Sequence, residues 1–511
     1  MTVAEAPVRP RAPRAGHPSP MSVWRLLWLE LRRNAMPWMF PLLAALFVFD
    51  PYRTAMSYPP LWDLRASVVV NKLLPDFVAF VAGVAAWMGS RDSRRHTADL
   101  VTATARPRWA AWLVTWAATA IWAVILYLCG VAVIYGVTAT QATWGHPLWW
   151  PVAVGCAELA VISALGFAAG TFFPGRFTAP LAAVAAFFLS LEGFDNAVGR
   201  SSVYALLSPT TSVPGDDIGV FYHYVPDLAI AQLMFLTGLT VALLGVLGLA
   251  RGAEGGLRLR RAAVVLTVAG VAAAGTAVGL VGTAREGKAS VTIPALHDAA
   301  NDRLIAFTPV CRPAGGVPVC VHPAYRAYLS QVKAAFTLVL REISGLPGAP
   351  ARITEVGDVG LSTTPGTISG PPTELSFGMP PTVGSFGQTK SGFAGSLQVA
   401  LVTAFIPGDG AASGKPGGSG SAGSGPPPGA VPPAVQARQA VQEGLLKTVG
   451  FRLPAQPPQL YAYGWPGALP TPQVHAAAER FAALPAATRR AWLAAHLAAL
   501  RAGHITLAQL P

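Results

Sequence analysis

Charge is the scarcest property of this sequence. Asp, Glu, Lys and Arg make up 12% of its 511 residues, about half the share of an ordinary soluble domain. With 52% hydrophobic residues and a mean hydropathy of +0.46, water is excluded as the solvent for much of the chain, and a bilayer takes its place. Catalytic motifs are missing too. There is no His-Glu-x-x-His, which removes zinc-peptidase chemistry of that kind, and no Ser, His and Asp grouping has motif support. Gly282, Gly287 and Lys288 only approximate a phosphate-binding loop, because Ala289 stands where a magnesium-ligating hydroxyl is needed. The chain therefore lacks ATPase machinery of its own, and it is expected to be no enzyme and to carry no cofactor. Acids are fewer than bases, 24 against 37, for a net charge of +13. The Arg residues flank apolar stretches and crowd the N-terminal tail without forming one basic face, which favours membrane topology over nucleic acid.

What is present divides into two regions with different solvents. Apolar residues dominate to about Thr283, and Pro, Gly, Ser and scattered charges take over afterwards. The expected fold class is an α-helical polytopic membrane protein of about seven transmembrane helices with a C-terminal soluble α+β extracytoplasmic domain. Residues 1–20 read as a disordered tail, residues 21–284 as the transmembrane domain and residues 285–511 as the extracytoplasmic domain. Ser22 to Asn34 sets Val23, Trp24, Leu27, Trp28 and Leu31 against Arg25, Glu30, Arg32 and Arg33, the pattern of an amphipathic helix lying in the membrane surface. Spans are expected at Pro37 to Phe49, Val68 to Met88, Trp109 to Val137, Pro151 to Phe173, Thr178 to Phe194, Leu228 to Ala250 and Ala262 to Thr283. The first is short and holds Pro37 and Pro41. The second begins with Asn71, Lys72 and Asp76, whose last two stand four apart and are spaced to pair.

Arg residues set the orientation. Arg91, Arg94, Arg95, Arg106 and Arg108 lie between the second and third spans, Arg176 between the fourth and fifth, and Arg251, Arg258, Arg260 and Arg261 between the sixth and seventh. The stretch from Thr138 to Trp150 has none. Arg-rich connections belong on the cytoplasmic side, so the N-terminus is expected inside and everything after Thr283 outside, in a multi-pass plasma-membrane protein. Small residues four apart, Gly166 with Gly170, Gly238 with Ala242 and Gly275 with Gly279, predict close helix contacts. Glu158 is an acid at membrane depth, and its role is either in a transport path or in a structural hydrogen bond. One such acid is too few for a membrane-embedded active site.

The stretch from Ser90 to Trp109, SRDSRRHTADLVTATARPRW, follows a surface helix and two spans, and it resembles the cytoplasmic coupling segment of ABC-2-type transporter permeases. Asp92, Arg94, Arg95, Thr97, Leu100, Val101, Pro107 and Arg108 occupy the matching places, while His96 stands where the family usually has Gly and Leu100-Val101 replaces a Leu pair. The resemblance implies the permease subunit of an ABC exporter, coupled to a separate ATPase subunit and working as a homodimer or beside a related permease. Independently, a helix exposing Leu100 and Val101 beside fixed charge suits docking into a groove of a partner. The alternative is a membrane-anchored extracytoplasmic protein that binds a ligand or partner without transport.

In the polar half, Val291 to Pro294, Ile305 to Val310, Val319 to Val321 and Leu397 to Ile406 read as strands. Tyr325 to Leu346, Ala434 to Val449, Pro472 to Leu484 and Ala486 to Arg501 read as helices. The Gly, Ser and Pro stretch at 408–433 reads as a flexible loop. Cys311 and Cys320 flank a turn-rich insert, and an oxidising exterior favours a disulfide between them. A metal site adding His322 has a spacing that matches no familiar zinc knuckle. Cys129 and Cys156 lie in apolar runs and read as small buried hydrophobes. His475 and Glu479 share a helix face, but two ligands make no metal site.

Overall fold

A computed structural model describes residues 20–94, 108–190, 203–213, 219–250, 256–287, 290–355, 368–369, 374–377, 390–407, 431–451 and 470–511. The chain is mostly helical. Six helical segments are long and apolar enough to cross a membrane: Val23–Ser57, Trp62–Gly89, Trp109–Gln141, Trp149–Phe172, Asp227–Ala250 and Gly256–Val281. They make this a membrane-embedded protein with a small sheet-containing domain on its C-terminal side. The expected span at Thr178 to Phe194 is a 12-residue helix, Thr178–Leu189, about 18 Å long and too short to cross alone.

Proline explains the irregular start. The surface helix Pro20–Arg33 stops at Asn34, whose side chain accepts from Met36 N and donates to Thr119 Oγ1 in the Trp109 helix. The bend is thus tied to a neighbour. Beyond it, a tight turn at Met36–Met39, the helix Phe40–Phe47, a π turn at Val48–Tyr52 containing Pro51, and the helix Arg53–Ser57 give the first span the length that the sequence alone did not promise. A second π turn, Val69–Leu73, precedes Pro75, whose missing N–H breaks the regular ladder. Lys72 and Asp76 do not pair. The π turn that contains Lys72 and ends at Leu73 changes the angular spacing on which an i, i+4 contact depends.

Glycine sets the closest helix contacts. A Cβ on Gly166 or Gly170 would run into the backbone carbonyls of Ala82 and Ala86, so the Trp62 and Trp149 helices run side by side in the same direction. Gly238 and Gly270 seat the antiparallel Asp227 and Gly256 helices backbone to backbone. Gly275 and Gly279, expected to do the same, have nothing within 4 Å of an added Cβ and face away from the bundle. Cys129, expected to be buried, is exposed on the outer face of its helix. In a bilayer that face meets lipid, so an apolar run does not by itself mark the protein interior.

The C-terminal domain sits over the end of the bundle where Tyr58 to Leu61, Ala142 to Leu148 and Gly219 to Pro226 emerge. Strands β1 (Arg285–Glu286) and β2 (Val291–Thr292) form a small hairpin. A five-stranded sheet follows from β3 (Val310–Ala314), β4 (Val317–Val321), β5 (Arg352–Glu355), β6 (Ile368–Ser369) and β7 (Glu374–Phe377), in the order β3-β4-β5-β7-β6. β3 and β4 pair antiparallel across Gly315 and Gly316, both at positive φ, the requirement of a tight type I′ hairpin. Pro313 and Pro318 face each other, and β5 pairs only with Val319 and Cys320, so neither proline interrupts the β4–β5 ladder. The helix Leu329–Ile343 buries Leu329, Val332, Phe336, Val339, Leu340 and Ile343. Two strand expectations are corrected. Leu397 to Ile406 belongs to the helix Lys390–Phe405, and the strand expected from Ile305 begins only at Val310. The helices Pro433–Thr448, Pro472–Ala483 and Ala486–Arg501 complete the domain.

One apolar core runs through the junction. Leu61, Leu64, Val220, Phe221 and Tyr222 from the bundle end join Val321, Tyr325, Phe336 and Phe405 of the C-terminal domain in a single buried cluster.

Candidate functional site

Two places carry the polar chemistry of the membrane half. The first lies at the bundle end opposite the C-terminal domain, where Gly89 meets Thr171 and Trp109 Nε1 donates to Leu244 O. There the surface helix is clamped to the start of the Arg-rich segment. Arg91 donates from both terminal nitrogens to the Glu30 carboxylate, at 2.8 and 3.0 Å. Both side chains are largely buried, which shields a bidentate pair from the screening that weakens exposed ones. The Glu30 hydrogen bond raises the Arg91 pKa above its ordinary value, ahead of the opposing effect of burial. Asp92 Oδ1 lies 3.7 Å from Arg91 Nε, and Arg94 folds back over the Trp87 ring at 3.3 Å while donating to Trp87 O. Trp122 Nε1 donates to Leu31 O and adds a second anchor for the surface helix. Of the other residues expected to couple to an ATPase, Arg95, Thr97, Leu100, Val101 and Pro107 lie outside the described residues, and for Arg108 only the helix start is described.

The second place is in the membrane interior. Glu158 is 6% exposed and lies nine residues beyond Trp149, about 14 Å along its helix. With Val70, Pro75, Ser190, Ser208 and Thr210 it lines a cavity of about 10 Å³, room for one water. The second π turn and the end of the Thr178 helix meet it there. Asn71 and Asp76, the chain neighbours of cavity-lining Val70 and Pro75, are half-buried, with Asp76 Oδ2 and Asn71 Oδ1 shielded and lacking hydrogen-bond partners among the described residues. Non-helical backbone at this depth needs internal partners. Gln232, wholly buried on the Asp227 helix, supplies them by donating to Ala205 O, Ser208 O and Thr211 Oγ1.

Gln232 was not visible as a functional residue in the sequence, because a lone amide in an apolar run gives no periodic signal. Asp227 is a similar case. Its buried Oδ2 accepts from Ile293 N and lies 3.1 Å from His297 Nδ1, tying the start of one span to the strand that leaves the last.

In the C-terminal domain, Cys311 and Cys320 stand opposite each other on β3 and β4 and form a disulfide. His322 is separate from them: its Nδ1 accepts from Ala324 N, and its ring lies among Trp144, Phe221 and Phe307. Burial pushes its pKa down to about 4. His475 and Glu479 instead contact other side chains. Buried Glu443 is held by His475 at 2.7 Å and Lys447 at 3.0 Å, and Lys447 reaches Glu479. Among the described residues no group of His, Cys, Asp and Glu is arranged to hold a metal.

Comparison with family models, curated proteins and solved structures finds no match. The resemblance to ABC-2-type permeases therefore stands on the segment from Ser90 to Trp109 and on the order of the elements around it.

Proposed function

We propose that this chain is the permease subunit of an ABC-type exporter, forming the substrate path in the plasma membrane and driven by a separate cytoplasmic ATPase. In this reading the N-terminus is cytoplasmic, the crossing begun by the Thr178 helix is the fifth of seven, and the C-terminal domain is outside. The observation that carries it is the Glu30–Arg91 clamp, which joins the amphipathic helix to the Arg-rich segment in one platform at the bundle end away from the C-terminal domain. A platform locked to the ends of two spans can pass the movement of a docked ATPase into the bundle. Polar groups around Glu158 then mark the path, and a dimer of this chain or a pair with a related permease completes it.

Gentle detergent co-purification tests the proposal. An ATPase subunit is expected to accompany the wild-type chain and to be lost with Leu100→Glu. Absence of any ATPase, or equal recovery with the variant, overturns it. The second reading, a ligand- or partner-binding protein held in the membrane, is favoured by the core shared between the C-terminal domain and the bundle. Binding by the whole chain without transport in proteoliposomes would select it.

A further inference from the structure

At the junction between the bundle and the C-terminal domain lies a cavity of about 330 Å³. Three connections and the domain converge on it. Its wall includes Trp62, Asp63, Trp144, Tyr222, Tyr224 and His223, with Leu61, Leu148, Val220 and Ile305 adding apolar surface. Among the described residues no Lys or Arg lines it, and Asp63 is the acid that does. Two glycines shape the wall. A Cβ on Gly219 would sit 2.9 Å from Asp63 Oδ2, so only glycine allows that loop to lie against the carboxylate. A Cβ on Gly145, which has φ +79°, would come within 3.3 Å of the Trp62 ring. Its floor is tied to its surroundings: Trp62 packs edge-on to Tyr135, Tyr224 donates to Ser212 O, and Trp144 packs edge-on to His322.

We infer that this cavity is a binding site for an organic cation with an apolar body, such as a substituted ammonium. The electrostatics decide the class. Aromatic faces attract cations and offer nothing to anions, and a carboxylate in a partly water-excluded wall adds attraction of the same sign. An anion would meet one like charge and, besides the imidazoles of His146 and His223, no fixed positive charge among the described lining residues. A neutral apolar molecule would gain the hydrophobic contact alone, without the carboxylate. The cavity touches both the bundle and the C-terminal domain, so a bound cation would bridge them. This inference does not rest on an ATPase partner, and its test needs none.

The test is saturation binding of radiolabelled benzyltrimethylammonium to the purified full-length chain in neutral detergent, by equilibrium dialysis. Unlabelled neopentylbenzene, its uncharged isostere, and benzenesulfonate serve as competitors. One saturable site is expected, displaced by excess unlabelled cation but not by the sulfonate, and only weakly by the isostere. Asp63→Asn is expected to weaken binding about tenfold, between the bulk-water and protein-surface scales for one charge pair. Because Asp63 is buried and its loss could unfold the junction, exposed His146 on the rim gives an independent arm. His146→Glu is expected to tighten binding and His146→Lys to weaken it, each about threefold, as for charges partly screened by solvent. Absence of saturable binding overturns the inference, as does equal competition by the isostere or the sulfonate. It fails too if the two His146 variants bind the cation alike.

Discussion

Lowering the pH should loosen the junction between the C-terminal domain and the bundle, and His322 sets the size of the effect. Its ring is fully buried, its Nδ1 already accepts a hydrogen bond, and aromatic rings of Trp144, Phe221 and Phe307 surround it. Glu355 accepts from the His322 backbone N–H. Burial holds the folded pKa at about 4 against an ordinary value of 6.5. The unfolded chain therefore takes up the proton first as pH falls, so stability is full above pH 6.5 and declines until about pH 4. Linkage over that window gives a loss of about 2 kcal/mol at pH 5 and roughly 3 kcal/mol once pH passes the folded value. For a domain of this size, 2 kcal/mol lowers the melting temperature by about 4–8 °C. The assay is thermal unfolding of the full-length protein in detergent at pH 7.5 and 5.0, comparing wild type with His322→Gln, whose amide oxygen can still accept from Ala324 N. The variant should lose most of the acid sensitivity. An equal drop in both proteins would refute the reasoning. His297 acts with the opposite sign. Its hydrogen bond to Asp302, with further help from Asp227, raises its pKa, so its contribution is present below pH 6.5 and lost as pH rises through the folded value. His297→Gln should therefore steepen the acid loss.

Other outcomes follow from the packing and the ion pairs. Gly166→Val should cost several kcal/mol, about 3 or more, because its Cβ meets the Ala82 backbone, whereas Gly275→Ala and Gly279→Ala should be nearly silent in the same detergent-melting assay. Equal effects would mean that the glycine contacts do not hold the bundle together. Cys311→Ser with Cys320→Ser should destabilise the domain by up to about 2.5 kcal/mol for a separation of 9 residues, and by less if the Gly315-Gly316 hairpin persists when unfolded. Thiol labelling after reduction in intact cells, with a reagent that cannot cross membranes, checks the side: strong labelling of exposed Cys311 is expected, and little of buried Cys320 while the domain stays folded. Arg91→Ala should free the surface helix at a cost of about 1 kcal/mol and raise proteolysis near Glu30, and unchanged cleavage would dismiss the clamp.

The sequence was most legible where one face of a helix meets one kind of environment. Ala486 to Arg501 and the face from Leu329 to Ile343 were read correctly because apolar residues recur at helical spacing beside polar ones. Leu397 to Ile406 was misread because a helix buried on most sides is a continuous apolar run, which spacing cannot separate from a central strand. Small-residue pairs located two of three helix contacts, but the motif alone could not tell a neighbour's backbone from lipid. Gln232, Asn34 and Asp227 were missed for a common reason: each satisfies backbone or side chains distant in sequence, and only the folded chain brings those groups within reach. Five residues expected to couple to an ATPase, Arg95, Thr97, Leu100, Val101 and Pro107, fall outside the described residues, so for them the sequence remains the only guide.

The shared core at the junction bears on how the gene can be cut. A truncated chain ending near Thr283 would leave Leu61, Leu64 and Phe221 facing water, and the piece beginning there would bare Tyr325 and its neighbours. Each half would then carry a sticky apolar scar and tend to clump. Melting should accordingly spread from the soluble part into the outer loops of the bundle as one event.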